Sequence, residues 1–484
     1  MASTEAALTP EQERKRTSTM LWVTGIALVG LIFDGYDLVV YGAVLPDLIA
    51  DPSQLNVQLT KESAGVLGSY AMIGVMIGAL ATGAIVDMMG RRKVMLISYT
   101  WFSIGMLITA LQASYLGFAI WRTFTGVGVG ALVACTGAIV AEFAPPGKKN
   151  TATAITYAGV PIGSLLAALL AMALKNDTSD WRMLFMIGAL PLVTLLPLAF
   201  FKMPESIAWL ASRGKMEQAQ KLSEKTGVPI PALPAAPTAD QAPAKDEGPA
   251  GFAGLFSGYY FLSTVLIGLL SAACLLLVYA LNTFLPLIMQ SKGTAVNPLA
   301  FLLVLNGGAV IRTLIGSRIA DKFGPKVTVT VFFAIGAFGI LLMTAFDAAG
   351  LLLVIIAVVG LGTSGTQTLI YALGATFYRT NVRGAGVSWT AGFGRIGGII
   401  GPIVGGILTA RYGPEMIADA TGKQVPVVGT GNLDMVFYIL AAIAVFGLVC
   451  TILLRKGDTE GTPVATIQPT RLEARDPNAG LEQN

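Results

Sequence analysis

About twelve long apolar runs dominate this chain, near residues 20–49, 62–87, 93–112, 115–141, 151–174, 182–202, 257–290, 297–321, 327–346, 349–376, 384–410 and 434–455. Most reach the ~20 residues that a helix needs to cross the hydrocarbon core of a bilayer. The pattern predicts an all-α membrane protein, because in lipid every backbone polar group must be satisfied within its own segment. Of 484 residues, 54% are hydrophobic and only 12% are charged, about half the charged share of a soluble domain. A soluble enzyme, a secreted disulfide scaffold and a nucleic-acid binder are therefore excluded, and a net charge of +4 does not call for a polyanion. Cys135, Cys274 and Cys450 all lie inside apolar runs at no metal-ligand spacing, so they read as packing residues. No metal or other cofactor is expected. The chain has no histidine, so proton chemistry falls to its carboxylates.

An even number of spans puts both ends of the chain on one side of the membrane. If that side is the cytoplasm, 22 Lys and Arg lie inside and 6 outside, a bias that satisfies the positive-inside rule. Residues 1–19 are polar and mixed in charge, without the short apolar core of a cleaved signal peptide, and are expected to form a cytoplasmic tail. Residues 20–202 should form a first six-helix bundle and 257–456 a second. Between them, 203–256 begins Pro204-Glu205-Ser206, continues with helical character to Thr226 and ends in a Pro/Ala-rich run that cannot bury a core. Residues 457–484 read as a second cytoplasmic tail.

One half of the chain echoes the other. The loop after the second run reads GAIVDMMGRRK, from Gly83 through Asp87, Gly90, Arg91 and Arg92; the loop after the eighth reads SRIADKFGPK, with Asp321 and Gly324 in register. In each, the glycine permits a tight turn and the aspartate is placed to cap the next helix or pair with a loop arginine. Such a latch would hold two bundles together on the cytoplasmic side. A plain basic turn is the competing reading of one copy; two copies at matching places favour a transporter repeat.

The G-x-x-x-D-x-x-G-R-R-K loop in a six-plus-six chain resembles the major facilitator superfamily. Arg122-Thr-Phe-Thr-Gly126-Val-Gly128 is similar to that superfamily's second motif, and Pro204-Glu205-Ser206 to its signature after the sixth helix. In the first run, Phe33-Asp34-Gly35-Tyr36-Asp37 followed by Tyr41-Gly42 resembles the aromatic acid:proton symporters, in the form closest to the benzoate branch. The resemblance implies two pseudo-symmetric bundles that alternate access around a central site, with further acidic positions at Asp87, Glu142 and Asp321. The glycine-proline element of drug antiporters is only Gly159-Val-Pro161-Ile-Gly163 in the fifth run, while its fuller form lies in the eleventh, at Gly397 to Gly406. That departure disfavours an exporter. Pro325 stands in the second loop where the first has Arg91, so the two latches need not be equally strong.

A charge at mid-bilayer costs about 2.5–3.5 kcal/mol on insertion scales, which makes each one a functional hypothesis. Asp34 and Asp37 are three residues apart on one helical face. In low dielectric two such carboxylates do not both ionise easily, as a proton-coupling site without histidine requires. A structural ion pair is the alternative for either. Arg122 is expected to be their counter-ion, Glu142 a partner of the basic loops, and Arg383 a member of the cytoplasmic gating loops. Arg395 or Arg312 could hold a substrate carboxylate through the planar guanidinium fork. Trp389 and Phe393, on the helix of Arg395, could bracket an aromatic ring or simply pack. Tyr41, Asn282, Asn306, Gln367 and Tyr371, with Tyr279 and Phe284 nearby, are further candidates for the lining.

The reading is a proton-coupled importer of aromatic carboxylates in a bacterial inner membrane, working as a monomer within the bilayer and with no nucleic-acid partner. A symporter of a sugar or a non-aromatic acid is the nearest rival, and an exporter a weaker one. A membrane enzyme would need a nucleophile, metal or cofactor constellation that these residues do not supply. A non-transporting sensor would need a signalling segment that the runs and tails do not suggest.

Overall fold

The computed structural model describes residues 10–145, 148–174, 181–230, 251–258, 260–419 and 422–454. Eleven helical segments are long and apolar enough to cross a membrane, and the apolar helix Pro298–Thr313, part of a helix spanning Pro298–Phe323, supplies the missing member of the series. We number these spans 1 to 12 in chain order. Spans 1 to 4 are the continuous helices Pro10–Ala50, Lys61–Met89, Arg91–Ala110 and Tyr115–Phe143. Spans 7, 8, 9, 11 and 12 are Phe261–Ser291, Pro298–Phe323, Pro325–Ala345, Thr380–Tyr412 and Leu433–Leu453.

Three spans are broken, each where the residues dictate. Span 5 runs as Lys149–Tyr157 and Gly159–Leu174, because Pro161 has no N–H for the Tyr157 carbonyl one turn back. In span 6 Pro191 does the same to Ile187, leaving Arg182–Ile187, a 3-10 turn at Leu190–Leu192 and Leu195–Lys202. Span 10 divides into Ala349–Gly362 and Thr366–Phe377 at a Gly-Thr-Ser-Gly sequence of poor helix formers.

The first span begins at Pro10, ahead of its apolar run, so the expected tail is helical from there. Its polar turns are docked: Arg16 is buried and donates to the Ala144 carbonyl at 3.3 Å. The charged part of the central segment forms two helices, Ile207–Ser212 capped by Ser206 and Met216–Thr226 closed by Gly227 at φ +74. The Pro/Ala-rich run and the C-terminal tail lie outside the described residues. On the other face, strands Met416–Ala418 (β1) and Gln424–Pro426 (β2) pair antiparallel, with Ile417 opposite Val425.

Spans 1–6 and 7–12 each pack chiefly among themselves, and glycines allow the closest approaches. A Cβ at Gly163 of span 5 would run into the Ile32 carbonyl of span 1, and one at Gly360 of span 10 into the Leu305 carbonyl of span 8. The two halves meet at the end away from the chain termini. Gly42 of span 1 lies against the Asn282 carbonyl of span 7, which Pro286 deprives of its helical partner. Gly65 of span 2 lies against the Pro402 carbonyl of span 11, Ser69 Oγ donates to the Ile399 carbonyl at 2.6 Å, and Lys61 Nζ donates to the Pro414 carbonyl. The hydrogen bonds that join the halves among the described residues, Ser69 to Ile399 and Lys61 to Pro414, both lie at that end and not at the termini end. The halves are shut at one end and parted at the other.

Candidate functional site

Asp34 and Arg395 sit near the middle of spans 1 and 11, one from each half, and both are only half-buried. Half-exposed charges at mid-span border the open space between the halves. They lie within electrostatic reach of each other without touching, and Tyr279 and Tyr371 of the second half and Tyr157 of the first share that field. Among the described residues neither the Asp34 carboxylate nor the Arg395 guanidinium has a hydrogen bond or ion pair. One guanidinium and one carboxylate, from opposite halves, thus share a field with three phenols.

Asp37 behaves differently. It is buried and forms an ion pair with Arg122 of span 4. The guanidinium carbon of Arg122 is 5.9 Å from the Tyr41 ring centre and 5.6 Å from that of Phe185. A buried pair boxed in by rings is held by its own desolvation, since removing either partner strands the other charge. The two aspartates of span 1 therefore divide into one locked in a pair and one open to the cavity.

Several expected lining residues face elsewhere. Trp389 and Phe393 do not bracket Arg395: two residues along a helix from Phe393 is a turn of about 200°, so the arginine looks away from both rings. The rings pack on Gly268 of span 7, with the Trp389 indole donating to the Thr264 carbonyl at 2.8 Å. The Tyr41 hydroxyl donates to the Ala64 carbonyl at 2.6 Å, bracing spans 1 and 2. Asn306 donates to the Asn282 side-chain oxygen at 2.9 Å, and both are buried. Gln367 donates to Ser271 at 2.7 Å, and Arg312 is buried within the second half. Asn282 and Asn306, which already satisfy each other in the bundle core, have nothing to offer a ligand. Of the expected substrate ligands, the structure brings Arg395 and Tyr371 to the gap. Tyr157 had not been singled out, though its place just before Pro161, in a span broken by that proline, was a readable signal.

The loop motif is built at the open end, where Glu142 is the partner of Arg91 but Asp87 does not cap the next helix. Gly90, at φ +90, must be glycine for two reasons: its left-handed backbone, and the Glu205 carboxylate 2.6 Å from where a Cβ would sit. Glu205, not Asp87, caps span 3, accepting from the Arg92 N–H at 3.0 Å, where the helix dipole favours a negative charge. Arg91 donates to Glu142 and to Ser206 Oγ, each at 2.6 Å, and Ser206 Oγ donates to Glu142 at 2.7 Å. Arg92 also reaches the Phe200 carbonyl. The Asp87 carboxylate is exposed and unpaired among the described residues, while its backbone carbonyl accepts from the Trp209 indole at 2.8 Å. Asp87 stands in the last turn of span 2, too far round from the start of span 3 to cap it. In the second loop Gly324 repeats the turn at φ +83, and the Asp321 side chain lies outside the described residues. Arg383, half-buried near the start of span 11, donates to the Tyr378 carbonyl at 3.4 Å.

Two helical bundles closed at one end, parted at the other and flanking mid-membrane charges define a membrane transporter. A family model described as the Major Facilitator Superfamily matches residues 27–402 and again 267–477. The chain belongs to the Major Facilitator Superfamily. It is 32% identical over 391 residues to the benzoate transport protein of Acinetobacter baylyi, covering 80% of this chain and 82% of that one. It is 31% identical over 402 residues to the gentisate transporter of Corynebacterium glutamicum, covering 81% and 83%. Among solved structures, that of a D-xylose-proton symporter aligns at a TM-score of 0.67 with 18% identity, over 92% of this chain and 99% of that one; this shows the fold.

Proposed function

We propose that this protein imports aromatic carboxylates of the benzoate or hydroxybenzoate type together with protons, across a bacterial inner membrane, with both termini in the cytoplasm. The observation that carries the reading is the unpaired Asp34–Arg395 couple between the halves, ringed by tyrosines. The relatives that transport benzoate and gentisate support the substrate class, and the bias of 22 basic residues against 6 supports the orientation.

The chemistry is a competition for one guanidinium. While Asp34 is ionised it offsets the charge of Arg395, and an incoming carboxylate gains little. A proton on Asp34 frees Arg395 to hold the substrate carboxylate, with the ring among Tyr157, Tyr279 and Tyr371. At an effective dielectric of 20 the effect is bounded by the roughly 4 kcal/mol of charges 4 Å apart. Loss of the proton to the cytoplasm restores the competition and expels the anion. Bringing a monovalent anion into a negative cell costs about 2.3 kcal/mol per 100 mV, which one proton cancels. On this orientation the present state faces the cytoplasm, and the free Asp87 carboxylate belongs to a latch that engages when that side closes.

Uptake of labelled benzoate into proteoliposomes, with an inward proton gradient and again with the gradient collapsed, tests the reading. Accumulation should require the gradient and yield to hydroxybenzoates but not to glucose. Competition by glucose alone would overturn the substrate class. The closed outer end supplies a second test. Gly42→Val should place a side chain against Asn282 only when the halves meet, so uptake should fall below about a tenth while the thermal midpoint moves little. Uptake at the wild-type rate would show that this contact does not form in the cycle.

A further inference from the structure

We propose that the second bundle holds a small inorganic anion of the halide class at Arg312, at the break in span 10 and apart from the substrate cavity. Arg312 is 1% exposed. One nitrogen, Nη1, donates to Thr368 Oγ1 at 3.0 Å, while Nε and Nη2 are buried with no partner. Among the described residues no carboxylate pairs with it. Its surroundings come from spans 7 to 10: the Phe332 ring centre 5.4 Å from the guanidinium carbon, the Cys274 thiol nearby, and Gly365, whose missing side chain makes room for the arginine. A cation in such a place needs a counter-charge, and each open N–H needs an acceptor.

The fold supplies only part of this. The helix Ala349–Gly362 ends at the same break, and its free carbonyls carry roughly half a negative charge. Ser364, beside Gly365 in the break, has a buried hydroxyl without a partner, able to donate to an anion and carrying no charge to balance the arginine. Gln367 is directed to span 7, its amide nitrogen on Ser271 and its carbonyl oxygen buried without a partner. Two guanidinium N–H groups left open on one buried cation, with no carboxylate paired to it among the described residues, call for a monovalent anion. The guanidinium is walled by Gly316, Gly365 and the Phe332 ring. The ion would pin spans 8 and 10 together where span 10 has lost its own hydrogen bonds.

The test uses the purified full-length protein in detergent, titrated with sodium chloride against sodium gluconate at constant ionic strength. The thermal midpoint and chloride-35 line broadening are read together. The thermal midpoint should rise with chloride or bromide and saturate, and the excess chloride-35 linewidth should fall as bromide displaces chloride but not with gluconate, which is too large to enter. Arg312→Gln should abolish both responses. Ser364→Ala should raise the half-saturating chloride several-fold in a folded protein, and this variant carries the test if Arg312→Gln does not fold. Arg395→Ala and saturating benzoate should leave the halide response unchanged. Equal effects of chloride and gluconate, or a halide response lost with Arg395→Ala or displaced by benzoate, would overturn the proposal. These outcomes do not depend on which substrate the central cavity accepts.

Discussion

Replacing Arg395 with alanine is expected to weaken benzoate binding by about a hundredfold or more. A hydrogen bond to a charged group contributes roughly 1.5–3 kcal/mol, and a bidentate guanidinium makes two, so a loss near 3 kcal/mol is a factor of about 150. No described partner of Arg395 would be stranded, so the variant should fold. Titration calorimetry on the purified protein reads the affinity directly. Arg395→Lys separates charge from geometry: it should recover only part of the loss, because an ammonium cannot grip a carboxylate with two parallel bonds. Affinity unchanged in the alanine variant would remove Arg395 from the site. The buried arginine of span 4 gives a contrast, since Arg122→Ala strands Asp37, and loss of one partner of a buried pair costs about 3–5 kcal/mol in stability.

Asp34→Asn is expected to abolish uphill accumulation while leaving benzoate binding intact or tighter. The amide cannot ionise, so Arg395 stays free for the anion and nothing expels it on the cytoplasmic side. Proteoliposomes should show substrate exchange without concentration under a proton gradient, together with loss of substrate-induced proton uptake. Gradient-driven accumulation by the variant would sink the coupling role. Asp37→Asn should behave otherwise. Its charge neutralises Arg122 in a buried pair, so the substitution acts first on stability and expression.

The spans were legible because a bilayer admits few solutions. Runs of ~20 apolar residues must be helices, and the observed helices fall on them, broken at Pro161, at Pro191 and in the Gly-Thr-Ser-Gly of span 10. Asp34, Asp37, Arg122, Arg312 and Arg395 were conspicuous for the same reason, as charges where charges are costly. Their partners were not legible. Nothing in span 1 says that Asp37 takes Arg122 and leaves Asp34 to the cavity, because that depends on how far each helix is rotated against its neighbours. The opposed faces of Phe393 and Arg395 could have been read from the 100° step per residue.

The sequence by itself determined which segments cross the membrane, where they break and which few charges they carry, since these follow from the cost of bare polar groups in lipid. Only the tertiary structure decided which charges are locked together and which face the gap. It also replaced Asp87 with Glu205 at the start of span 3, because a carboxylate from a distant loop reached the Arg92 N–H that the nearby one could not. Helix rotation and loop return are settled by packing between segments far apart in the chain, and no local pattern of residues encodes them.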